Sequence, residues 1–421
     1  MIPVSGASLL TLIAVLLIIA WGMVLWTFRR TLARLWREPV LRVPIFIVES
    51  DDWGPGSEEH AAALSRICEV LVRHRDSIGR PAVMTIGVVL AVPDIAEIQR
   101  NGHREYARKT LRHPDFSSMR DGLIRGRERG VLALQLHGLE HLWPPAFMRA
   151  ASTAGSEVRG WLAAGDELAT EALPSVIQSR WTEGSTLPSV ALTEAEIDAA
   201  VVEEVLEFEQ ALGEVPKVVV PPTFVWNESV ERAWSANGLQ VLITPGRRNV
   251  GRDQQGKPGP VDRDYLNGDV SSAGLICLVR DIYFEPALDH APEAAVARVL
   301  EHFRLGRPAL LETHRFNFTD EPTARERSLA ALDELLGQVR HRLPAVRFMS
   351  SFELATALQR GDPGVTDGRF SRRLEACLLR LRTVSRLRKL AILSGLAILY
   401  WLALVALSRL GFSRVYERRT E

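Results

Sequence analysis

Residues 43–54 read Val43-Pro44-Ile45-Phe46-Ile47-Val48-Glu49-Ser50-Asp51-Asp52-Trp53-Gly54. An apolar run rich in β-branched side chains delivers the chain onto three carboxylates and a glycine. Such side chains favour extended backbone, so 43–48 reads as a buried strand with an acidic cluster at its C-terminal end. Two adjacent carboxylates there repel each other unless a cation answers them. The plain alternative is an acidic turn, which Asp-Asp followed by glycine also suits.

Outward from this strand the same alternation continues. Residues 58–75 have helical period, 82–92 are apolar and rich in valine, and 131–136 form a short buried strand. Residues 193–212 make a long acidic helix with Ile197, Val201, Val205 and Phe208 on one face. Strands at 217–220, 239–243, 275–279 and 309–311 alternate with helices at 229–237, 294–304 and 325–343. Strands interleaved with helices imply right-handed βαβ units and a parallel sheet. About seven such units predict an α/β fold, a distorted (β/α) barrel over residues 40–360, with chemistry at the C-terminal strand ends. Residues 143–192 and 246–269 lack strong period and are expected to be long loops over the site.

The barrel is expected to lie between N- and C-terminal transmembrane helices. Residues 1–28 carry no charge, and a second charge-free run fills 390–408, so spans are expected at 1–28 and 390–410. Each run is about 20 residues, enough to cross a hydrocarbon core of roughly 30 Å as a helix. The first has no basic leader and no small-residue cleavage site, so it reads as an uncleaved anchor. Arg29, Arg30, Arg34 and Arg37 follow the first span, and Arg380, Arg382, Arg386, Arg388 and Lys389 precede the second. Positive flanks stay inside, which puts the central domain on the cytoplasmic face; Arg409, Arg414, Arg418 and Arg419 on the tail pull the other way. Residues 370–389 set Leu374, Leu378, Leu381 and Leu387 at helical spacing among arginines. That is either a basic amphipathic helix resting on anionic lipid or an ordinary solvated charged helix.

A formal net charge of zero argues against a nucleic-acid partner. Three scattered cysteines, Cys68, Cys277 and Cys377, form neither a disulfide framework nor a cysteine metal site. Polar residues at other strand ends are more telling. His137-Gly138-Leu139-Glu140-His141 follows the strand at 131–136, and two imidazoles four residues apart converge on one ion if the segment takes a helical turn. The alternative is a buried structural pair. His314, in Thr313-His314-Arg315, ends the strand at 309–311. One Asp and two His leave a coordination position of a zinc-like ion open for water, as in a catalytic site. The second Asp and His314 are then a candidate base and acid.

These elements, in this order, resemble the polysaccharide deacetylases, the NodB-homology group of carbohydrate esterases, over residues 43–355. The likeness lies in Ser50-Asp51-Asp52-Trp53-Gly54, in His137 to His141, in Leu212-Gly213-Glu214-Val215-Pro216 followed by Val218-Val219-Val220-Pro221-Pro222, and in Leu311 to His314. The resemblance implies a divalent metal, zinc first, held by Asp52, His137 and His141, with Asp51 as general base and His314 as the acid that protonates the leaving amine. It implies hydrolysis of an N-acyl or O-acyl group on a glycan or, given the anchors, a lipid-linked sugar. Departures stand beside it. Val220 occupies the place of the family's base-orienting arginine, leaving Arg280 with Asp281, or Arg315, as substitutes from other loops. Thr223-Phe224 replaces the usual Tyr-Gly, and Trp53 intervenes before Gly54. Trp53, Trp143 and Trp226 are candidate sugar-stacking platforms or core residues, with Pro222 and Arg315 as further substrate contacts.

Three rival readings remain. His137 to His141 also spells the inverted zinc-peptidase motif, which needs both imidazoles on one long helix and Glu140 as base. Two His and one Asp match the facial triad of iron oxygenases, which favour antiparallel β-rich scaffolds. A degenerate barrel kept as a membrane-bound glycan-binding or scaffolding module is the non-enzymatic reading, and the missing arginine supports it.

Overall fold

The computed structural model describes residues 6–409. Arg414, Arg418, Arg419 and the first five residues of the expected N-terminal span lie outside them. The chain divides into two compact units, Pro44–Leu300 with Pro308–Arg360, and Met1–Val43 with Glu301–Arg307 and Gly361–Glu421.

The larger unit is built on one parallel sheet. Its strands are β1 (Ile45–Trp53), β2 (Met84–Val88), β3 (Leu132–Leu136), β4 (Val218–Val219), β5 (Val241–Thr244), β6 (Ile276–Val279), β7 (Ile282–Tyr283), β8 (Ala309–His314) and β9 (Arg347–Phe348). They run in the order β6-β5-β4-β3-β2-β1-β8-β7, with β9 beside β1. Only Arg280 and Asp281 separate β6 from β7. That one stretch therefore pairs with β5 at one end of the sheet and with β8 at the other. The sheet curls until its ends meet there, which is the distorted barrel the alternation predicts.

Strands covered on both faces read as unbroken apolar runs, and β1 and β2 are buried almost throughout. The helices follow the strands. Glu58–Arg73 starts on a Ser57 cap, Glu228–Ala236 on an Asn227 cap, and Glu194–Leu212 on a full capping box between Thr193 and Glu196. The last buries Ile197, Val201, Val205 and Phe208 as its period predicts, but also Glu204 and Glu207, which period does not reveal.

Two stretches expected to be loops are structured. Residues 143–192 hold the helices Pro144–Ser152 and Glu157–Ala164 and the strand pair Thr182–Glu183 with Val190–Ala191. Phe147, Val158, Trp161 and Leu162 from there close a small core on Ile95 and Ile98. Residues 246–269 contain an antiparallel pair, Arg247–Asn249 with Val261–Asp264. Elements this short carry too few turns to show a period.

In the smaller unit, Arg29–Arg37 and Phe370–Leu381 bring Trp36 and Phe370 to 5.5 Å between ring centroids. Arg380 is fully buried and donates to the carbonyls of Leu35, Glu38, Pro39, Leu305 and Gly306. Among the described residues no single helix is long and apolar enough to cross a membrane. Two bent pairs pass together by length and composition: Thr11–Thr27 with Arg29–Arg37, bent by 63°, and Ser385–Leu393 with Leu396–Leu407, bent by 102°. The expected C-terminal span is thus broken at Ser394-Gly395, where Gly395 has φ 73°. Leu16, Ile18, Met23 and Trp26 on the first pair, and Leu393, Ile398 and Trp401 on the second, are exposed.

Candidate active site

β1 and β8 set the frame. In their parallel register Glu49 stands opposite Glu312 and Asp51 opposite His314. Side chains alternate along a strand, so Asp51 and Asp52 would face opposite ways in regular backbone. The β1–β2 register shifts between Ser50 and Trp53, and Asp52 takes φ 68°, rare for a residue other than glycine. This bulge re-aims Asp52 toward the side served by Asp51. Gly87 on β2 makes room for Asp51: a β-carbon there would lie 2.3 Å from Asp51 Oδ1.

His137 and His141 reach Asp52 from the loop after β3, not from a helical turn. Gly138, at φ 94°, bends the chain so that both imidazoles converge. His137 Nε2 and His141 Nε2 lie 3.3 and 3.6 Å from Asp52 Oδ1. His137 Nδ1 is 2.9 Å from the Val220 carbonyl, which fixes the tautomer and leaves Nε2 as the donor atom. Asp52 Oδ1 is buried without a hydrogen-bond partner. The separations are those of ligand atoms across an ion, since bonds of about 2.0–2.1 Å in a tetrahedron span roughly 3.3 Å. An orphaned carboxylate oxygen facing two imidazoles fits a zinc-like ion. Burial lowers the His141 pKa to about 4, keeping that ring neutral.

Arg280, on the link between β6 and β7, answers the carboxylates on the other side. Its guanidinium meets Asp51 Oδ2 at 2.6 Å, Glu49 Oε2 at 3.0 Å and Glu312 Oε2 at 3.0 Å. The Phe224 ring lies 5.2 Å from the guanidinium carbon. Arg280, one of the substitutes expected for the arginine absent at Val220, thus reaches Asp51 from the β6–β7 link. Burial would raise the Asp51 pKa, but Arg280, with His137 and His314, outweighs it and holds the carboxyl below its ordinary value. Glu49 goes the other way, because burial outweighs Arg280 and lifts it to about 7.

His314 presents Nδ1 to Glu285 Oε1 at 2.6 Å. Burial disfavours the imidazolium, yet Glu285, helped by Asp52 and Asp51, raises its pKa to about 10. Asn317 and Thr313 donate to the same Glu285 carboxylate. Glu49, Glu285 and Glu312 are site residues the sequence reading missed. Glu49 and Glu312 follow from strand pairing alone, and Glu285 lies in no motif.

The candidate substrate contacts fare differently. Trp53 and Trp226 are fully buried, donating to Ser50 Oγ and Glu231 Oε1, and Trp143 is buried as well. None of the three offers a ring face to a sugar. Pro222 is buried, its Cγ 3.3 Å from where a β-carbon on Gly138 would sit, so it braces the histidine loop. Arg315 is buried too, its guanidinium held by the Pro55 and Leu168 carbonyls, and only its backbone N–H reaches Asp51, through the carbonyl oxygen. Glu140 is sealed between Arg180 at 2.9 Å and Arg108 at 2.7 Å. With no helix carrying both histidines, the inverted peptidase motif fails.

A pocket of about 410 Å³ is lined by His60, Asp166, Leu168, Glu171 and Phe316 among others. The Phe316 ring stacks on His314 at 6.0 Å and 17°.

No family model matches the sequence, and no curated protein matches it. Among solved structures the chain is similar to a family 4 carbohydrate esterase from Streptomyces lividans in complex with acetate, at 12% identity, TM-score 0.34, covering 77% of this chain and 96% of that one. It is similar to the peptidoglycan deacetylase PdaC from Bacillus subtilis, at 12% identity, TM-score 0.34, covering 77% of this chain and 94% of that one. A family 4 pseudoenzyme from Bacillus anthracis is similar at 10% identity, TM-score 0.36, covering 75% of this chain and 66% of that one. The chain's structural neighbours thus include both carbohydrate-esterase deacetylases and a pseudoenzyme. At this level of likeness they carry no weight for the chemistry, which rests on the residues above.

Proposed function

We propose that the chain is a metal-dependent hydrolase that removes an acyl group, N-acetyl first, from a glycan or lipid-linked sugar. One observation carries the reading: Asp52, His137 and His141 converge on one point, while beside them Arg280 holds Asp51 ionised and Glu285 holds His314 protonated. A divalent ion bound by the three ligands supplies a Lewis acid for the acyl oxygen and makes a water more acidic. Asp51 keeps Oδ2 on Arg280 and offers Oδ1 to the proton of the attacking water. His314, across the register from Asp51, donates its proton to the leaving nitrogen. Glu285 holds the imidazole in place as it gives up that proton. The pocket beside Phe316 has room for the sugar that carries that nitrogen.

The non-enzymatic reading drew its support from a missing arginine, and Arg280 fills that role. The exposed apolar side chains on the two bent helix pairs suit hydrocarbon better than water. The reading therefore includes a two-span anchor, with the barrel on the cytoplasmic side by its flanking arginines and close to membrane lipid. A substrate carried on lipid follows from that placement, and it fails if a soluble barrel turns over free oligosaccharides as fast as the full chain turns over lipid-linked ones.

The deciding experiment is elemental analysis of the purified protein and of His137→Ala, followed by acetate release from acylated sugars. About one zinc-like ion per chain, lost in the variant, with acetate released by the wild type, supports the hydrolase. An ion without acetate release, but with glycan binding, moves the reading to a binding module. No ion in either protein overturns it.

A further inference from the structure

The groups around Asp51 commit only part of their donor atoms. Asp51 gives Oδ2 to Arg280, while Oδ1 is buried with no hydrogen-bond partner. Glu312 turns Oε2 to Arg280 Nε and Oε1 toward His314 Nε2 at 3.6 Å. His314 has Nδ1 engaged by Glu285, so Nε2 is the nitrogen left to face a ligand. One donor atom from each of Asp51, Glu312 and His314 lies within 4.8 Å of the others. Asp51 and Glu312 are 1% and 3% exposed, so water does little to satisfy them. An imidazole whose second ring nitrogen is held by a carboxylate is the usual outer arrangement of a metal-bound histidine.

We propose that Asp51, Glu312 and His314 form a second divalent-cation site, distinct from Asp52, His137 and His141, and that filling it switches the enzyme off. The switching half rests on the reading of Asp51 and His314 as base and acid. A cation there displaces the proton from His314 Nε2 and takes the lone pair so exposed together with that of Asp51 Oδ1, the two atoms that move protons. Glu49, Asp51 and Glu312 surround a single guanidinium, which leaves negative charge for a further cation to offset. The same guanidinium repels that cation, so the second site is weaker than the first. A two-oxygen, one-nitrogen donor set suits zinc or manganese.

Metal-free full-length protein in detergent, titrated with zinc chloride by calorimetry, tests this. Two steps are expected, the second at least tenfold weaker. Glu312→Gln removes the weak step and keeps the tight one, whereas His137→Ala removes the tight step and keeps the weak one. His314→Gln, which also loses the weak step, guards against a fold defect peculiar to Glu312→Gln. A single ion per chain at millimolar zinc, or two steps surviving in both Glu312→Gln and His314→Gln, overturns the second site. With the site present, acetate release by the wild type falls as the weak step saturates, and undiminished release at saturation overturns the switch. Two steps in a protein that releases no acetate at any zinc level would leave the site standing and sink the hydrolase reading instead.

Discussion

Arg280 places one guanidinium against three buried carboxylates, Glu49, Asp51 and Glu312. Removing one partner of a buried charge group costs about 3–5 kcal/mol, because the others stay desolvated without an answer. Arg280→Met is therefore expected to lower stability by that order in urea denaturation and to abolish acetate release. Arg280→Lys keeps a charge but not the three-way fork, so it should recover part of the stability and little activity. His314 yields a pH prediction for the metal-free protein. Its pKa is raised from 6.5 to about 10 in the fold. The stabilisation is full below 6.5, where both folded and unfolded chains hold the proton, and is lost as pH rises through 10. The melting temperature of the wild type should fall between pH 7 and 10 more steeply than that of His314→Gln; parallel curves would refute the raised pKa. At this scale Asp51, Asp52, His137, His141 and His314 were legible because each ends a short apolar run. Glu285 and Glu312 were not, since their roles come from what stands across the register. The tryptophans stayed open between sugar platform and core because a sequence shows a ring but not whether its face is covered.

Single elements decide whether those residues can work together. The β1 bulge and the positive φ at Asp52 turn two consecutive carboxylates to one side, and Gly87 on β2 leaves the space that Asp51 fills. Gly87→Ala puts a β-carbon 2.3 Å from Asp51 Oδ1, so the carboxylate has to shift. A displacement near 1 Å from a productive geometry costs on the order of 10²-fold in rate. Activity should fall by that order with zinc content unchanged, since Asp52, His137 and His141 keep their places. Wild-type turnover in Gly87→Ala would show that the close approach does not constrain the base. The longer strands and helices were readable from period. Convergence of the two histidines was expected on condition of a helical turn, since i, i+4 spacing does not reveal that Gly138 supplies the bend instead. The two helices within 143–192 are short and broken by Pro and Gly, so their burial shows only once Trp161 and Phe147 meet Ile95 and Ile98.

At the scale of the whole chain, the smaller unit is assembled from three separated segments, and only the outer two are near a terminus. Arg380 is the point where they are tied. Its donors close the carbonyls of Leu35, Glu38, Pro39, Leu305 and Gly306, and Glu38 in turn pairs with Arg307 at 2.8 Å. Buried carbonyls and a buried carboxylate without such partners each carry a desolvation cost of about 1–3 kcal/mol. The sequence shows an arginine-rich helix here, and nothing in its spacing tells that one of those arginines faces inward. A chain cut to residues 44–360 keeps 301–307 but loses Glu38 and Arg380, so the ends of this segment lose their partners. A chain covering 29–382 retains them while discarding most of both apolar helix pairs. The longer piece is expected to melt several degrees higher and to bind the same single tight zinc ion, as read by calorimetry of both pieces. Equal melting temperatures would mean that residues 301–307 need nothing from the chain ends, and the Arg380 tie would then have no part in holding the fold.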